Sequence, residues 1–290
     1  MKIRYAALSV LALLLAESHA QKTIKDIEFA NVDGRSLKVD LYLPMKSDLN
    51  PPLVVWVHGG AWRRGARSSM PLKDLVKRGY AIASVDYRLT PVAPFPANVH
   101  DIKAAIRWLR ANAGKYHYSS EKVAIAGASA GGHLAALVGT SNGHTVLEGK
   151  VGKNPDQSSD IAAIVSFYGA ANLTTILHQS TPHGLGVRVP ALQLLLGGKP
   201  DEKTNLAKLA SPYYQVNGAE PPLLLIHGDQ DHQMPVNQSI ELAARYREHL
   251  LPVQLEFIHG GGHGGKQFYD EERINLVADF LHRHLSAAPK

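Results

Sequence analysis

The chain has 290 residues, 45% of them hydrophobic and 19% charged, with a formal net charge of +6. That much apolar chain supports a substantial core and excludes a disordered polymer, and so modest a charge gives no reason to expect a nucleic-acid partner. Cysteine is absent, which excludes disulfides, a thiolate nucleophile and zinc-thiolate sites.

Residues 1–20, MKIRYAALSVLALLLAESHA, set Lys2 and Arg4 ahead of an apolar run from Ala6 to Ala16, followed by the small-x-small pattern Ser18-His19-Ala20. The run falls short of the roughly 20 residues a spanning helix needs. It predicts a signal peptide cleaved near Ala20, export without a membrane span, and one domain over residues 21–290.

TIKDIEFANV and RSLKVDLYLP have no helix between them and predict an antiparallel start at one sheet edge. PPLVVWVHG (51–59), YAIASVDY (80–87), KVAIAGAS (122–129), IAAIVSFYG (161–169), PPLLLIHGD (221–229) and VQLEFIHGG (253–261) are short continuous apolar runs ending at Gly or a polar turn. Such runs suit strands buried on both faces. Between them, residues 97–114, 236–250 and 272–285 carry helical apolar stripes. Strands alternating with helices predict an α/β fold with a mostly parallel central sheet covered on both faces. Residues 141–160 and 171–210 are too long for minimal turns and read as insertions that form a small cap over a binding surface.

The first buried run ends in HGGAW, residues 58–62. Glycine there lets backbone N–H groups approach a ligand oxygen. Just beyond it Arg63, Arg64, Arg67, Lys73, Lys77 and Arg78 cluster, opposed only by Asp74. They form either a solvated face or an anion-attracting patch near a site mouth.

Ser129 stands in Gly127-Ala128-Ser129-Ala130-Gly131, where a predicted strand meets a predicted helix. Glycines two residues either side let the strand and helix backbones pass at a very tight turn. The turn presents the hydroxyl over the sheet edge at a helix N-terminus, where developing negative charge is favoured. A serine hydroxyl needs an imidazole to take its proton and a carboxylate to orient that imidazole. Asp229 and Asp231 follow one later strand, and His259 and His263 follow the next. The N–H groups of Gly60, Ala61 and Ala130 are assigned to an oxyanion hole.

HGGAW, VDYRLTP, GASAGG, HGDQDHQMP and GGGHGG, in this order along the chain, resemble α/β-hydrolase fold serine esterases. The similarity is greatest to the group of bifunctional feruloyl and acetyl-xylan esterases, relatives of the hormone-sensitive-lipase branch. The resemblance implies Ser129 as nucleophile, His263 as base, Asp231 as its orienter, and Asp86 and Arg88 as a salt-bridged brace for the loop after their strand. It implies no cofactor, and substrates that are small esters or acylated polysaccharides. Ala61 departs from the commoner third glycine, a substitution that main-chain donors tolerate. Geometry favours Asp231 too, since three residues past Gly228 it can swing toward the His263 loop, whereas Asp229 suits a turn brace. His58 is expected to support the oxyanion loop. The scattered histidines lack H-x-x-x-H spacing, so no metal site is expected. An arylformamidase or peptidase would use the same residues, and a non-catalytic binding protein on this fold would typically have lost one of the three.

Overall fold

The computed structural model describes residues 21–45 and 50–285. The expected signal peptide, residues 1–20, lies outside the described residues. Eight strands form one sheet in the order β1-β2-β4-β3-β5-β6-β7-β8. They are β1 (Gln21–Val32), β2 (Arg35–Pro44), β3 (Pro52–Val57), β4 (Ala81–Val85), β5 (Ser119–Ala128), β6 (Ala163–Phe167), β7 (Leu223–Gly228) and β8 (Val253–Ile258). β1 pairs with β2 and β2 with β4 antiparallel, while β4, β3 and β5 to β8 run parallel. This is the α/β-hydrolase arrangement, with the antiparallel hairpin at one edge.

The inner strands β4, β3, β5, β6 and β7 are buried because two layers of helix cover them, whereas β1 and, against expectation, β8 are only partly buried, since each is an edge strand with a neighbour on one side alone. Along β3, Leu53, Val55 and Val57 enter one core and Val54 and Trp56 the other, the two-residue alternation of a strand. The helices in chain order are α1 (Lys73–Lys77), α2 (Ala97–Ala111), α3 (Ala113–Tyr116), α4 (Ala130–Gly139), α5 (Thr145–Glu148), α6 (Ile176–Gln179), α7 (Pro182–Leu196), α8 (Thr204–Leu209), α9 (Pro212–Gln215), α10 (Asn237–Glu248) and α11 (Glu271–Leu285). Ile102 and Ile106 of α2, Leu134 and Val138 of α4, and Leu242 and Tyr246 of α10 fill the first core. Leu75 and Val76 of α1 and Ile274, Val277, Phe280 and Leu281 of α11 fill the second. Every residue of α4 is buried, as expected of a helix that is apolar all round.

Register decides which loops meet. Val57 of β3 pairs with Gly127 of β5, so HGGAW and the Ser129 turn leave the sheet side by side. Gly228 of β7 pairs with Ile258 of β8, which sets the two Asp/His loops side by side as well. All four emerge at the carboxyl ends of the parallel strands, where open α/β sheets bind ligands.

The two insertions part company. In residues 141–160, Glu148 accepts from Lys103 Nζ (3.1 Å) and is engaged by Arg107, which fixes this segment on α2. The expected cap contribution comes from the second insertion alone. There α7 starts on Thr181, whose hydroxyl accepts the Gly184 N–H, with Pro182 in its first turn, and stops at Gly197 in the left-handed conformation. Asp86 and Arg88 are both salt-bridged, as expected of a brace for the loop after β4. Asp86 pairs with Arg67 (2.6 Å) and Arg88 with Asp101 (2.8 Å).

Candidate active site

Ser129 joins β5 to α4 at φ 56° and ψ −119°, a region that costs roughly 1–3 kcal/mol for a residue with a side chain. Its surroundings hold it there. Its N–H donates to Phe167 O (2.9 Å), and its carbonyl accepts the His133 N–H (2.9 Å) as α4 begins. A Cβ on Gly127 would overlap the Gly131 carbonyl, and one on Gly131 would overlap the Val57 carbonyl. The two glycines therefore let the first turn of α4 sit directly on the end of β3.

His263 lies between Ser129 and Asp231. Its Nε2 is 2.9 Å from Ser129 Oγ and its Nδ1 is 2.7 Å from Asp231 Oδ2. With the carboxylate accepting from Nδ1–H, Nε2 is left as the acceptor for the serine proton. Asp231 Oδ1 accepts the N–H groups of Gln233 (2.8 Å) and Met234 (2.7 Å), and His227 Nε2 stands 3.5 Å from Oδ2. Burial pushes this carboxyl upward, but the hydrogen bonds from His227 and His263, the His263 charge and the Met234 amide together hold it well below the usual range. Asp229 and His259 are not part of this chain of contacts: they pair with each other at 2.9 Å, and Asp229 Oδ1 accepts the Gly260 N–H.

Gly60, Ala61 and Ala130 all lie at Ser129. Gly60 and Ala61 line its pocket, and Ala130 is the first residue of α4, whose N–H has no partner within the helix. The loop takes φ values of 117° at Gly60, 53° at Ala61 and 60° at Trp62, closed by the Arg63 and Arg64 N–H groups donating to Gly60 O. Two successive left-handed residues with side chains need outside support, which comes from below and behind. His58, buried, donates from Nδ1 to Gly59 O (2.8 Å) and stacks on Tyr87 at 4.5 Å. Trp62 Nε1–H donates to His133 Nδ1 (3.1 Å), and His133 Nε2 donates to Ala210 O (2.7 Å). This tautomer is neutral, and complete burial pulls the imidazole down to about 4. Neither His133 nor Trp62 carries a motif signal beyond Trp62 closing HGGAW.

The pocket over Ser129 measures about 570 Å³. Trp56, Met70, Pro71, Tyr168 and Tyr269 make one side of it, with Trp56 fixed by Nε1–H donating to Ser69 O (2.7 Å). The Tyr168 ring meets His263 edge-on at 4.9 Å and its hydroxyl pairs with Tyr269 at 2.9 Å. Arg64, Val187 and Gln233 also line the pocket, Val187 from α7. The basic cluster divides: Arg64 lines the pocket, but Arg67 is withdrawn into Asp26, Asp40 and Asp86, where its Nε is 2.9 Å from Asp40. Its charge is spent on tying β1, β2 and the loop after β4 together.

Among known proteins, Esterase LipC of Mycobacterium tuberculosis (strain ATCC 25618 / H37Rv) is 32% identical over 218 residues, 73% of this chain and 53% of LipC. The chain spans about half the length of the curated relatives it matches. A truncated form of a carbohydrate esterase from gut microbiota superposes with TM-score 0.80 at 28% identity, over 93% of this chain and 98% of that one. A bifunctional GH43-CE protein of Bacteroides eggerthii gives 0.81 at 32% identity, over 91% of this chain and 38% of that one. The BD-FAE family matches residues 39–246, a span that holds the Ser129 turn, HGGAW and Asp231. The chain belongs to the BD-FAE family, on the α/β-hydrolase fold.

Proposed function

We propose that this protein is an exported serine carboxylic ester hydrolase acting through an acyl-enzyme on Ser129. The observation that carries the reading is the unbroken chain from Ser129 Oγ through His263 to Asp231 at 2.9 and 2.7 Å, on a turn held in a costly conformation. Ser129 attacks the ester carbonyl as His263 Nε2 takes its proton. The N–H groups of Gly60, Ala61 and Ala130 receive the oxyanion, the alcohol leaves with the proton from His263, and water repeats the sequence on the acyl-enzyme. Asp231 stays ionised behind the imidazole and stabilises the imidazolium that forms.

The aromatic residues Trp56, Tyr168 and Tyr269 in the pocket, set among polar lining residues, support short acyl and aromatic acyl groups. Similarity to a carbohydrate esterase supports acetyl or feruloyl esters of plant polysaccharides as the natural substrates. The pattern of residues 1–20 supports export. The test is turnover of methyl ferulate, acetylated xylan, p-nitrophenyl acetate and N-formylkynurenine, together with mass spectrometry after an organophosphonate. Ester turnover with the label on Ser129 is expected. A label on Ser166, or N-formylkynurenine as the best substrate, sinks the proposal.

A further inference from the structure

One charge near the site has no partner. Arg188 of α7 is fully buried, and its Nη1 and Nη2 have no hydrogen-bond partner among the described residues. Its Nε donates to Gln233 O at 3.4 Å, and its guanidinium lies 6.0 Å from the Trp62 ring centroid. Burying an unpaired cation is costly, so a buried guanidinium with two idle donor groups calls for an explanation. Burial, helped by repulsion from the exposed Arg63, pulls Arg188 down to about 10 against the attraction of Asp231, which leaves it charged at neutral pH.

Its neighbours place it behind the pocket wall. Val187 precedes it in the chain, Gln233 is its bonding partner, Trp62 follows Ala61, and Val187, Gln233 and Ala61 all line the pocket. Arg64 also lines the pocket, its stem against Gly60. Among the described residues no Asp or Glu lines the pocket, and the nearby Asp231 carboxylate is already engaged by His263 and two backbone amides. The buried Arg188 charge thus stands behind a wall of low dielectric, where a charge acts on a ligand without touching it, and the exposed Arg64 adds a solvated charge on the pocket lining.

We propose that this end of the pocket is an anion subsite, with Arg64 on its wall and Arg188 behind it, that selects esters carrying a carboxylate. The proposal rests on the ester-hydrolase reading and names its substrate class: an acidic acyl group, such as the half-ester of a dicarboxylic acid, or an acidic alcohol partner. The ester bond is cleaved as described above, and the carboxylate takes no part in the bond changes.

Two matched pairs separate the two sources of the charge. p-Nitrophenyl hydrogen succinate against p-nitrophenyl pentanoate puts it on the acyl side, and 4-acetoxybenzoate against its methyl ester puts it on the alcohol side. For each pair the ratio of kcat/KM is divided by the same ratio for imidazole-catalysed hydrolysis. In the wild type the corrected ratio is expected to exceed one for at least one pair, and to fall about tenfold in Arg188→Met and Arg188→Gln while Arg188→Lys retains most of it. A wild-type ratio below one for both pairs, or one unchanged by the neutral Arg188 variants, overturns the subsite. If neither neutral variant folds, Arg64→Ala decides, because its exposed side chain is dispensable to the core: an unchanged ratio there overturns the subsite equally. Failure of the wild type to hydrolyse any of the four esters sinks the ester-hydrolase reading instead.

Discussion

Acidification should destabilise this protein in part through a fully buried imidazole, His133. The fold holds it neutral, accepting from Trp62 and donating to Ala210, with its pKa pulled by burial from 6.5 down to about 4. In the unfolded chain the same group titrates near its ordinary value, so the unfolded state binds the extra proton between these limits. The contribution to stability is complete above about pH 6.5 and is lost as the pH falls toward 4. A difference of about 2.5 units is worth about 3 kcal/mol in full, of which about 2 kcal/mol is gone by pH 5. Urea unfolding of the wild type and of His133→Gln at pH 7.5, 6 and 5 measures it. Glutamine supplies a donor and an acceptor but no titrating group, so its deficit relative to wild type should shrink by about 2 kcal/mol between pH 7.5 and pH 5. Equal losses in the two proteins over this range would refute the argument, because the acid sensitivity would then belong to groups elsewhere.

Other substitutions separate roles that neighbouring residues compete for. Asp231→Asn should cost about 10⁴-fold in kcat while leaving the fold intact, whereas Asp229→Asn should remain active with a slightly lower Tm, since it loses only the His259 and Gly260 contacts; the reverse pattern in kcat and Tm means the acid is misassigned. Gly131→Ala forces a methyl group into the Val57 and His58 backbone, and thermal unfolding should show a loss of about 1–3 kcal/mol or more; an unchanged Tm contradicts the packing of α4 on β3. p-Nitrophenyl acetate to butyrate should be hydrolysed faster than laurate, because the lining mixes Trp56 and Tyr269 with the polar Arg64, Ser69 and Gln233 and forms no apolar channel for a long chain; a rate maximum at ten carbons or more argues against that reading.

What the sequence determines by itself is what depends on neighbours a few residues away. Five or six apolar residues ending at glycine make a strand buried on both faces, and once such strands lie parallel, their following loops gather at one edge whatever else the chain does. The approach of Gly127 to Gly131 is likewise written locally, because a turn that tight admits no Cβ at either place. The carboxylates and imidazoles that follow β7 and β8 fall side by side for the same reason. The tertiary structure decides where charge and strain are balanced by residues far along the chain. Arg67 reads as one more cation of a basic run, yet Asp26, Asp40 and Asp86 surround it, brought there by the β1–β2 hairpin. Ala61 and Trp62 give no sign of their left-handed backbone, since neither residue type favours it; the conformation is held by His133, 71 residues beyond Trp62. Residues 141–160 read like the second insertion but are bound to α2 by Glu148 pairing with Lys103 and Arg107, so they never reach the pocket. Arg188 sits in an apolar helix as an ordinary surface cation would, and its burial beside Asp231 follows only from where α7 lies on the loop after β7. Short-range sterics can be read from neighbouring letters; the burial and pairing of a charge depend on the whole fold.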